Sequence, residues 1–380
     1  MLGLWLAVAC GGGDQPTDPV DTGVIDLTVQ MDAPAQGHQL VTPTYEVPAN
    51  TEVDVCSIVK LEGTGETLQW VSRMESLVSE DTHHMNVLIG QFSFLDAFLE
   101  EGAAETALGA EVGQVLCDEL PIMEQAFPIF PSQRQNQQIT LPDGVAAPLT
   151  APLLLVFSHH YVNVQDRPVA INAVLNVETV EPEEVSQVAG LIFDDIGDLE
   201  VAAGTRQVLE RTCVVERDVS LALVSTHTHN WTECATLNRY HGASETVEPD
   251  PFFMNKRWDQ PPILHFEPGT MELAAGDGVH WACHTANPTD LTLTNDGTAD
   301  GEMCVFAAVS YPSAWSVEEV EETVANGDIA GLASLMGEVM GPCDTTLESV
   351  EGPWPTEAED LAAASDTCGD WEQTESNTLD

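Results

Sequence analysis

Residues 219–231 have the sequence V-S-L-A-L-V-S-T-H-T-H-N-W, an apolar and β-branched run followed by two histidines. The run at 219–224 predicts a strand that enters the centre of a domain. Side chains two residues apart on a strand point to the same face, so His227 and His229 would present two imidazoles side by side. Such a pair is half of a metal site, but zinc hydrolases, carbonic-anhydrase-like sites and plain buried histidines share the H-x-H pattern.

Three further stretches favour a metal site: T-H-H-M at 82–85, S-H-H-Y at 158–161 and G-E-M-C at 301–304. His83 and His84 are adjacent, so a regular strand would point them to opposite faces, and both can bind one metal only with a local twist. The same constraint applies to His159 and His160, of which we expect only one to be a ligand. Imidazoles together with the thioether of Met303 favour copper, because soft sulfur suits Cu(I) and nitrogen also holds Cu(II).

The composition excludes several classes of partner. The chain has 380 residues, with 63 Asp and Glu against 10 Lys and Arg, and a formal net charge of −53. This charge argues against binding to a nucleic-acid backbone and against docking to anionic lipid through basic side chains. The surface is that of a salt-tolerant, highly soluble protein, and the length suits two domains that each bury a core.

The N-terminal sequence predicts export and a lipid anchor. Residues 1–10 (M-L-G-L-W-L-A-V-A-C) resemble the end of a bacterial lipoprotein signal, with Cys10 as the lipidated residue. No Lys or Arg precedes the apolar run, and nine residues are too few for a whole signal, so we expect the true start to lie upstream. Residues 11–24 predict a flexible tether. We therefore expect an exported protein of the bacterial cell envelope that contacts the membrane only through its anchor.

Alternating polarity and frequent turn residues predict an all-β fold. We expect two tandem antiparallel β-sandwich domains of jelly-roll type at residues 25–180 and 185–345, separated by the charged, proline-containing segment at 178–184. Residues 317–340 predict one or two short helices packed outside the second sandwich, and residues 92–108 favour a helix or an excursion from the sheet. Residues 346–380 predict a solvated acidic tail.

Taken in order, four motifs resemble those of the type II, ascorbate-dependent copper monooxygenases, the family of peptidylglycine α-hydroxylating monooxygenase and dopamine β-hydroxylase. They are T-H-H-M at 82–85, H-Y-V-N at 160–163, H-T-H at 227–229 and E-M-C at 302–304. The segment L-P-D-G-V at 141–145 and the stretch A-G-D-G-V-H-W-A-C-H-T at 275–285 agree in position. The resemblance extends over residues 26–343.

The resemblance implies two coppers per chain. An electron-transfer copper would be held by His83, His84 and His160, where His160 is preferred over His159 because Tyr161 follows it. A second copper, which binds oxygen and carries out the hydroxylation, would be held by His227, His229 and Met303.

The resemblance also implies a set of disulfides. Nine cysteines minus Cys10 leave an even eight, which in an exported chain favours disulfides. The family pairs would be Cys56–Cys117, Cys213–Cys343 and Cys283–Cys304, which leaves Cys234 with Cys368. A further family disulfide near the first copper has no counterpart, since Gly90 stands where a cysteine is expected.

The function that this resemblance implies is hydroxylation of a C–H bond with O₂ and ascorbate or another one-electron donor. The peptide-amidating branch has an arginine where this chain has Ser225, and polar residues where it has Val305, Phe306 and Ala307. We therefore expect a small neutral or cationic organic substrate, and a monomeric protein. The alternatives are a lipid-anchored copper carrier without turnover and a zinc hydrolase that uses only H-T-H, although the latter has no role for Met303.

Overall fold

The computed structural model describes residues 23–61, 68–90, 114–119, 126–150, 153–295, 301–326, 343–344, 352–353 and 368. The first half contains strands β1 (Ile25–Asp26), β2 (Gly37–Val41), β3 (Tyr45–Val47), β4 (Thr51–Leu61), β5 (Leu68–Val78), β6 (Thr82–Gly90), β7 (Gln114–Leu116), β8 (Ala126–Ser132), β9 (Asn136–Thr140), β10 (Val145–Thr150), β11 (Leu153–Asn163), β12 (Val169–Ile171), β13 (Ala173–Val180) and β14 (Gln187–Val188).

The second half contains β15 (Gly190–Asp195), β16 (Glu200–Val201), β17 (Thr205–Val214), β18 (Val219–Thr228), β19 (Thr232–His241), β20 (Thr246–Val247), β21 (Phe253–Asn255), β22 (Leu264–His265), β23 (Glu272–Leu273), β24 (Gly278–Ala286), β25 (Leu293–Thr294), β26 (Cys304–Tyr311), the helix α1 (Val317–Ala325), β27 (Cys343–Asp344) and β28 (Gly352–Pro353). Short 3₁₀ turns lie at Cys117–Glu119 and Pro182–Glu184. The predicted all-β fold is confirmed.

The first half forms a β-sandwich. One sheet has the order β14-β10-β5-β13-β2, with β9 also paired to β5, and the other has the order β7-β4-β11-β6-β8. Their facing side chains form one core, to which Leu175 and Val177 contribute from the first sheet and Val87 and Phe157 from the second. A small sheet, β1-β12-β3, has its own cluster around Tyr161.

The second half forms another sandwich. Its sheets have the orders β15-β26-β18-β22, with β23 on β18, and β20-β19-β24-β17-β27, with β21 on β19 and β28 on β17. Their common core includes Val224 and Phe306 from one sheet and Leu237 and Trp281 from the other. Strand β18 contains the apolar run at 219–224 and His227, and it is interior to its sheet because β26 pairs with one of its edges and β22 and β23 pair with the other.

The junction between the sandwiches differs from the predicted boundary. Glu181 begins a 3₁₀ turn with a capping box to Glu184, and this turn brings β14 alongside β10 in a parallel pair. The first sandwich therefore extends to Val188, beyond the predicted limit at residue 180. Because β15 starts at Gly190 in the other sandwich, almost no linker separates the two.

The helix α1 corrects a second expectation. It begins at a Ser316–Glu319 capping box and was predicted to pack outside the second sandwich. Its buried Val320 instead packs with Trp70 and Ala146 of the first sandwich. The valines at 317, 320 and 324 form one apolar stripe, and that stripe covers the first sandwich near the junction.

The structure contains the disulfides Cys56–Cys117, Cys234–Cys368 and Cys283–Cys304, each as expected. Cys213 is disulfide-bonded, and Cys343 is its register partner between β17 and β27. Such bonds are consistent with an exported protein. Within the described part of the chain, no helix has the length and apolar character needed to cross a bilayer.

Several expectations concern residues that lie outside the described part of the chain. These are the signal remnant at 1–10, most of the tether, the segment at 92–108, residues 327–340 and most of residues 346–380. Two points of the acidic C-terminal segment are described: Gly352–Pro353 pairs with β17, and buried Cys368 is bonded to Cys234.

Candidate metal centre

Three histidines converge at the end of the β6–β11 pair in the first sandwich. The ring centroids of His83, His84 and His160 lie 4.9–5.1 Å apart. One nitrogen of each ring lies within 4.8 Å of the others. This three-histidine site therefore has the number and spacing of donors that one metal ion needs.

A β-bulge explains why two adjacent histidines face the same point. His160 pairs with His84, but the next residue, Tyr161, pairs with Thr82, so His83 is an extra residue without a register partner. A bulge of this kind bends the strand and redirects the side chain of the extra residue. It supplies the local twist that the sequence required.

His159 points away from the three-histidine site. Its Nε2 lies 2.8 Å from Oγ1 of Thr82, and burial lowers the pKa of His159 from its ordinary value of 6.5 to about 4. Neighbours on a strand face opposite sides, so only His160 joins the cluster, as expected from the sequence.

The chemistry of the three-histidine site fits a metal ion. Burial, followed by the proximity of His227 and His160, holds the pKa of His84 well below its ordinary value, and burial is the main cause that lowers the pKa of His83. Both rings are neutral at neutral pH and offer a lone pair. The Nδ1 atom of His84 is buried without a hydrogen-bond partner, which is costly in a metal-free protein and which a metal ion at this nitrogen would relieve.

Glu52 orients the third ring of this site. Its Oε1 lies 2.7 Å from Nε2 of His160. A carboxylate accepts a hydrogen bond, so Nε2 of His160 carries the proton. Its Nδ1 therefore has the lone pair that could bind a metal. Glu52 could not be identified from the sequence, because it lies diagonally across the β4–β11 pair from His160, and that placement depends on the register of the two strands.

The second candidate site lies at the end of the β18–β26 pair. The rings of His227 and His229 are 5.3 Å apart and perpendicular. Thr228 pairs with Cys304, so Met303, which directly precedes β26, adjoins the two histidines. The disulfide Cys283–Cys304 anchors this end of β26 to β24 in the opposite sheet. The structure thus brings together the two histidines and the methionine, which we call the His–Met site.

Hydrogen bonds select the same ring nitrogen in both histidines of the His–Met site. Nδ1 of His227 lies 2.9 Å from Oε1 of Gln133, and Nδ1 of His229 lies 3.3 Å from the carbonyl oxygen of Gly301. Both partners accept, so each Nδ1 carries the proton and each Nε2 has the lone pair. Burial lowers the pKa of His227 to about 3, which keeps its ring neutral.

Glu302 joins the two segments that carry the His–Met site. Its fully buried carboxylate accepts from the backbone N–H groups of His229 at 2.6 Å, Met303 at 2.9 Å and Trp231 at 3.1 Å. Burial raises the pKa of Glu302 to about 7, against the effect of these bonds. The E-M-C motif contained this glutamate, but its partners seventy residues away could not be predicted from the motif.

A cavity of about 440 Å³ between the sandwiches connects the two sites. His84, His227, His229 and Met303 all line it, and the rings of His84 and His227 are 6.3 Å apart. Most of its other walls are apolar, among them Leu88, Ile129, Ile139, Leu149, Ile263 and Val309. Such a chamber would hold an apolar molecule next to both donor sets.

Three of the four residues that distinguish this chain from the peptide-amidating branch lie on the cavity wall beside the His–Met site. They are Ser225, Val305 and Ala307, and Oγ of Ser225 donates to the carbonyl of Pro262 at 2.9 Å. Phe306 does not line it, because alternate residues of β26 face opposite sides and Phe306 is fully buried in the core.

Comparisons with known proteins do not assign this chain to a family. No family model matches the chain, and no curated protein matches it in sequence. A solved structure of the infectious bursal disease virus VP2 subviral particle is 9% identical, with 72% of this chain and 70% of that chain covered and a TM-score of 0.15. A putative secreted protein from Parabacteroides distasonis is also 9% identical, with 77% and 88% covered and a TM-score of 0.11. Similarity this low carries no argument about fold or function.

Proposed function

We propose that this protein is a copper-dependent monooxygenase. It would convert a substrate C–H bond, O₂, two electrons and two protons into a C–OH group and water, with ascorbate or another one-electron donor as the source of electrons. The observation that carries this proposal is the shared cavity: the three-histidine site and the His–Met site face one apolar chamber through His84, His227 and Met303.

The donor sets suit copper better than zinc. His83, His84 and His160 would hold one ion through imidazole nitrogens, and His227, His229 and Met303 would hold the other with a soft thioether in place of the third nitrogen. Copper would supply the one-electron chemistry and the activation of O₂. Three protein ligands at each site leave positions open, which a carrier that saturates its metal would not need.

The remaining residues would position the substrate and exclude water. Neutral imidazoles, held by burial and by accepting partners, need no proton release before they bind a metal. The apolar walls would keep water from the reacting C–H bond and favour an apolar body over an ion. Glu302 would keep the segments of His229 and Met303 in register during turnover.

The charge of the cavity supports a neutral or cationic substrate. Among the described residues that line it, Arg73 is the one Lys or Arg, and its guanidinium contacts Glu75 at 2.8 Å and Glu178 at 2.5 Å. A substrate carboxylate would lose hydration without gaining a cationic partner. Arylalkylamines and other small aromatic compounds fit these walls better than a peptide that ends in a carboxylate.

The proposal includes attachment to the bacterial cell envelope through a lipid on Cys10. The net charge of −53 disfavours binding to an anionic membrane through basic side chains. A monomer is proposed, with O₂, a reductant and a small substrate as its partners.

The test is anaerobic copper titration followed by oxygen uptake with ascorbate. We expect two coppers per chain, one after His227→Ala, and faster hydroxylation of a phenylethylamine than of a peptide ending in glycine. Two coppers without oxygen uptake on any substrate would favour the carrier. One copper, or retention of zinc in preference, would contradict the two-site proposal, and efficient conversion of the peptide would contradict the substrate class.

A further inference from the structure

Gln133 is a residue of the first sandwich that contacts the His–Met site of the second. It follows β8 directly and is 8% exposed. Its side chain makes two hydrogen bonds across the junction: Nε2 donates to the backbone carbonyl of Trp258 at 3.2 Å, and Oε1 lies 2.9 Å from Nδ1 of His227. Gln137 holds the backbone here, because its side chain accepts from the N–H of Gln133 and donates to the carbonyl of Pro131.

These two bonds determine the orientation of the amide. A backbone carbonyl can only accept, so the amide nitrogen of Gln133 must face Trp258 and its oxygen must face His227. The oxygen can also only accept, so Nδ1 of His227 carries the proton. The lone pair of His227 is therefore on Nε2, the nitrogen that is available to a metal in the cavity.

Trp258 continues the connection to the three-histidine site. Its ring lies 5.5 Å from the ring of His83, at an angle of 65°. Gln133 of the first sandwich thus contacts His227 of the second. In the reverse direction, Trp258 of the second sandwich contacts His83 of the first. One histidine of each site is therefore contacted by a residue from the opposite half of the chain.

We propose that Gln133 is a positioning residue of the His–Met site. It holds His227 in the tautomer that binds metal through Nε2, and it does so only while the two sandwiches are docked as they are here. This inference rests on the proposed copper function, because it assigns to Gln133 an effect on copper affinity at that site. It makes metal binding in the second sandwich dependent on the first.

The experiment uses the full-length chain and Cu(I) alone as the probe. Competition titration with a chromophoric chelator measures both affinities, and X-ray absorption identifies the His–Met site by its copper–sulfur scattering. Gln133→Met keeps the length of the side chain but removes both bonds. We expect it to weaken copper binding at the His–Met site by about 10- to 100-fold, the usual effect of losing an outer-shell partner, and to leave the three-histidine site within about twofold.

Three variants separate positioning from docking and from misfolding. Gln133→Glu retains an acceptor for Nδ1 of His227 but cannot donate to Trp258, so it should restore most of the lost affinity. Trp258→Ala keeps the backbone carbonyl and removes the ring, so it should affect the three-histidine site instead. Gln36→Met, at an exposed glutamine that does not line the cavity, is the matched control, and circular dichroism checks the fold of each variant.

The outcomes distinguish this inference from the proposed function. Wild-type affinity in Gln133→Met would overturn the positioning role even if the enzyme turns over. Equal losses in Gln133→Met and Gln133→Glu would assign Gln133 to docking alone and would also overturn it. A loss confined to the His–Met site, with rescue by glutamate, supports the inference even if no substrate is ever hydroxylated.

Discussion

The two candidate metal sites occupy equivalent places but are built by different means. Each lies at the end of two paired strands in a sheet that lines the shared cavity: β6 and β11 for the three-histidine site, β18 and β26 for the His–Met site. In the His–Met site the regular alternation of H-x-H is enough to align two rings. In the three-histidine site a bulge at His83 is needed to align neighbours.

This difference shows which part of a site can be predicted from a sequence pattern. Histidines two residues apart on a strand lie on the same face, so H-x-H predicts the positions of both rings. Adjacent histidines lie on the same side only if the register with the neighbouring strand produces a bulge. The supporting residues differ in the same way. Glu52 holds His160 from the neighbouring strand, but His227 is held by Gln133 from the other sandwich.

The largest effect on turnover that we expect from a single substitution comes from replacing Met303. This residue is the sulfur ligand proposed for the His–Met site, and the three-histidine site has no counterpart to it. Met303→Ile should preserve the fold, since the swap roughly conserves apolar volume and costs under about 1.5 kcal/mol. Turnover should fall by at least about 100-fold, because loss of a direct ligand should exceed the effect of losing an outer-shell partner. The measurement is ascorbate-dependent oxygen uptake, with copper content determined in parallel.

The matched control is Met74→Ile, at a methionine that lines the same cavity in the first sandwich. It should leave turnover within a few-fold of wild type. Full activity in Met303→Ile would make that methionine a core residue and remove the chemical difference between the sites.

A second prediction tests whether each sandwich stabilises its own site. Replacing Cys283 and Cys304 by alanine opens a loop with a sequence separation of 21, and replacing Cys56 and Cys117 opens one of 61. Loop-closure entropy gives losses of about 3 and about 4 kcal/mol, measured by chemical denaturation. Copper should be lost from the His–Met site in the first variant, because Cys304 directly follows Met303, and retained there in the second.

Mass mapping of the wild-type protein provides the check on this comparison. Free thiols at 283 and 304 would contradict both the disulfide and the expected destabilisation. Loss of copper from the His–Met site in the Cys56/Cys117 variant would show instead that the sites are not supported separately.

The third prediction concerns the histidine that the three-histidine site does not use. The pKa of His159 is about 4 in the folded protein and 6.5 ordinarily. Since the unfolded chain takes up this proton more readily, the free energy of unfolding should decrease as the pH falls from 6.5 to 4 and become constant with respect to His159 below that. The gap of about 2.5 between the two pKa values corresponds to a loss of about 3 kcal/mol.

The measurement is denaturation of the metal-free protein against pH, for the wild type and for His159→Gln. Other buried histidines add to the slope in both proteins, so the difference between the two curves isolates His159. Parallel curves would mean that His159 titrates normally and that its burial beside Thr82 has no effect on the pKa.

Much of the fold was determined by the sequence alone. The alternating strands and the apolar run of β18 are local patterns, and local patterns specify strands because side-chain direction alternates along the backbone. The boundary expected at 178–184 was not determined in this way, because β14 pairs with β10 beyond it. The H-x-H pair and the choice of His160 over His159 follow from the same alternation and from a family resemblance. The metal itself and its chemistry stay predictions.

The tertiary structure decided what depends on residues far apart in the chain. The bulge that redirects His83 is a mismatch between two strands, and the amide of Gln133 meets His227 across ninety-four positions of sequence. The helix α1 packs on the first sandwich because its valines meet Trp70 and Ala146 there, although its sequence follows the second. The sequence of a single strand or helix does not specify its packing partner, because its apolar face can pack against any complementary surface. The partner is determined only when the two sandwiches dock.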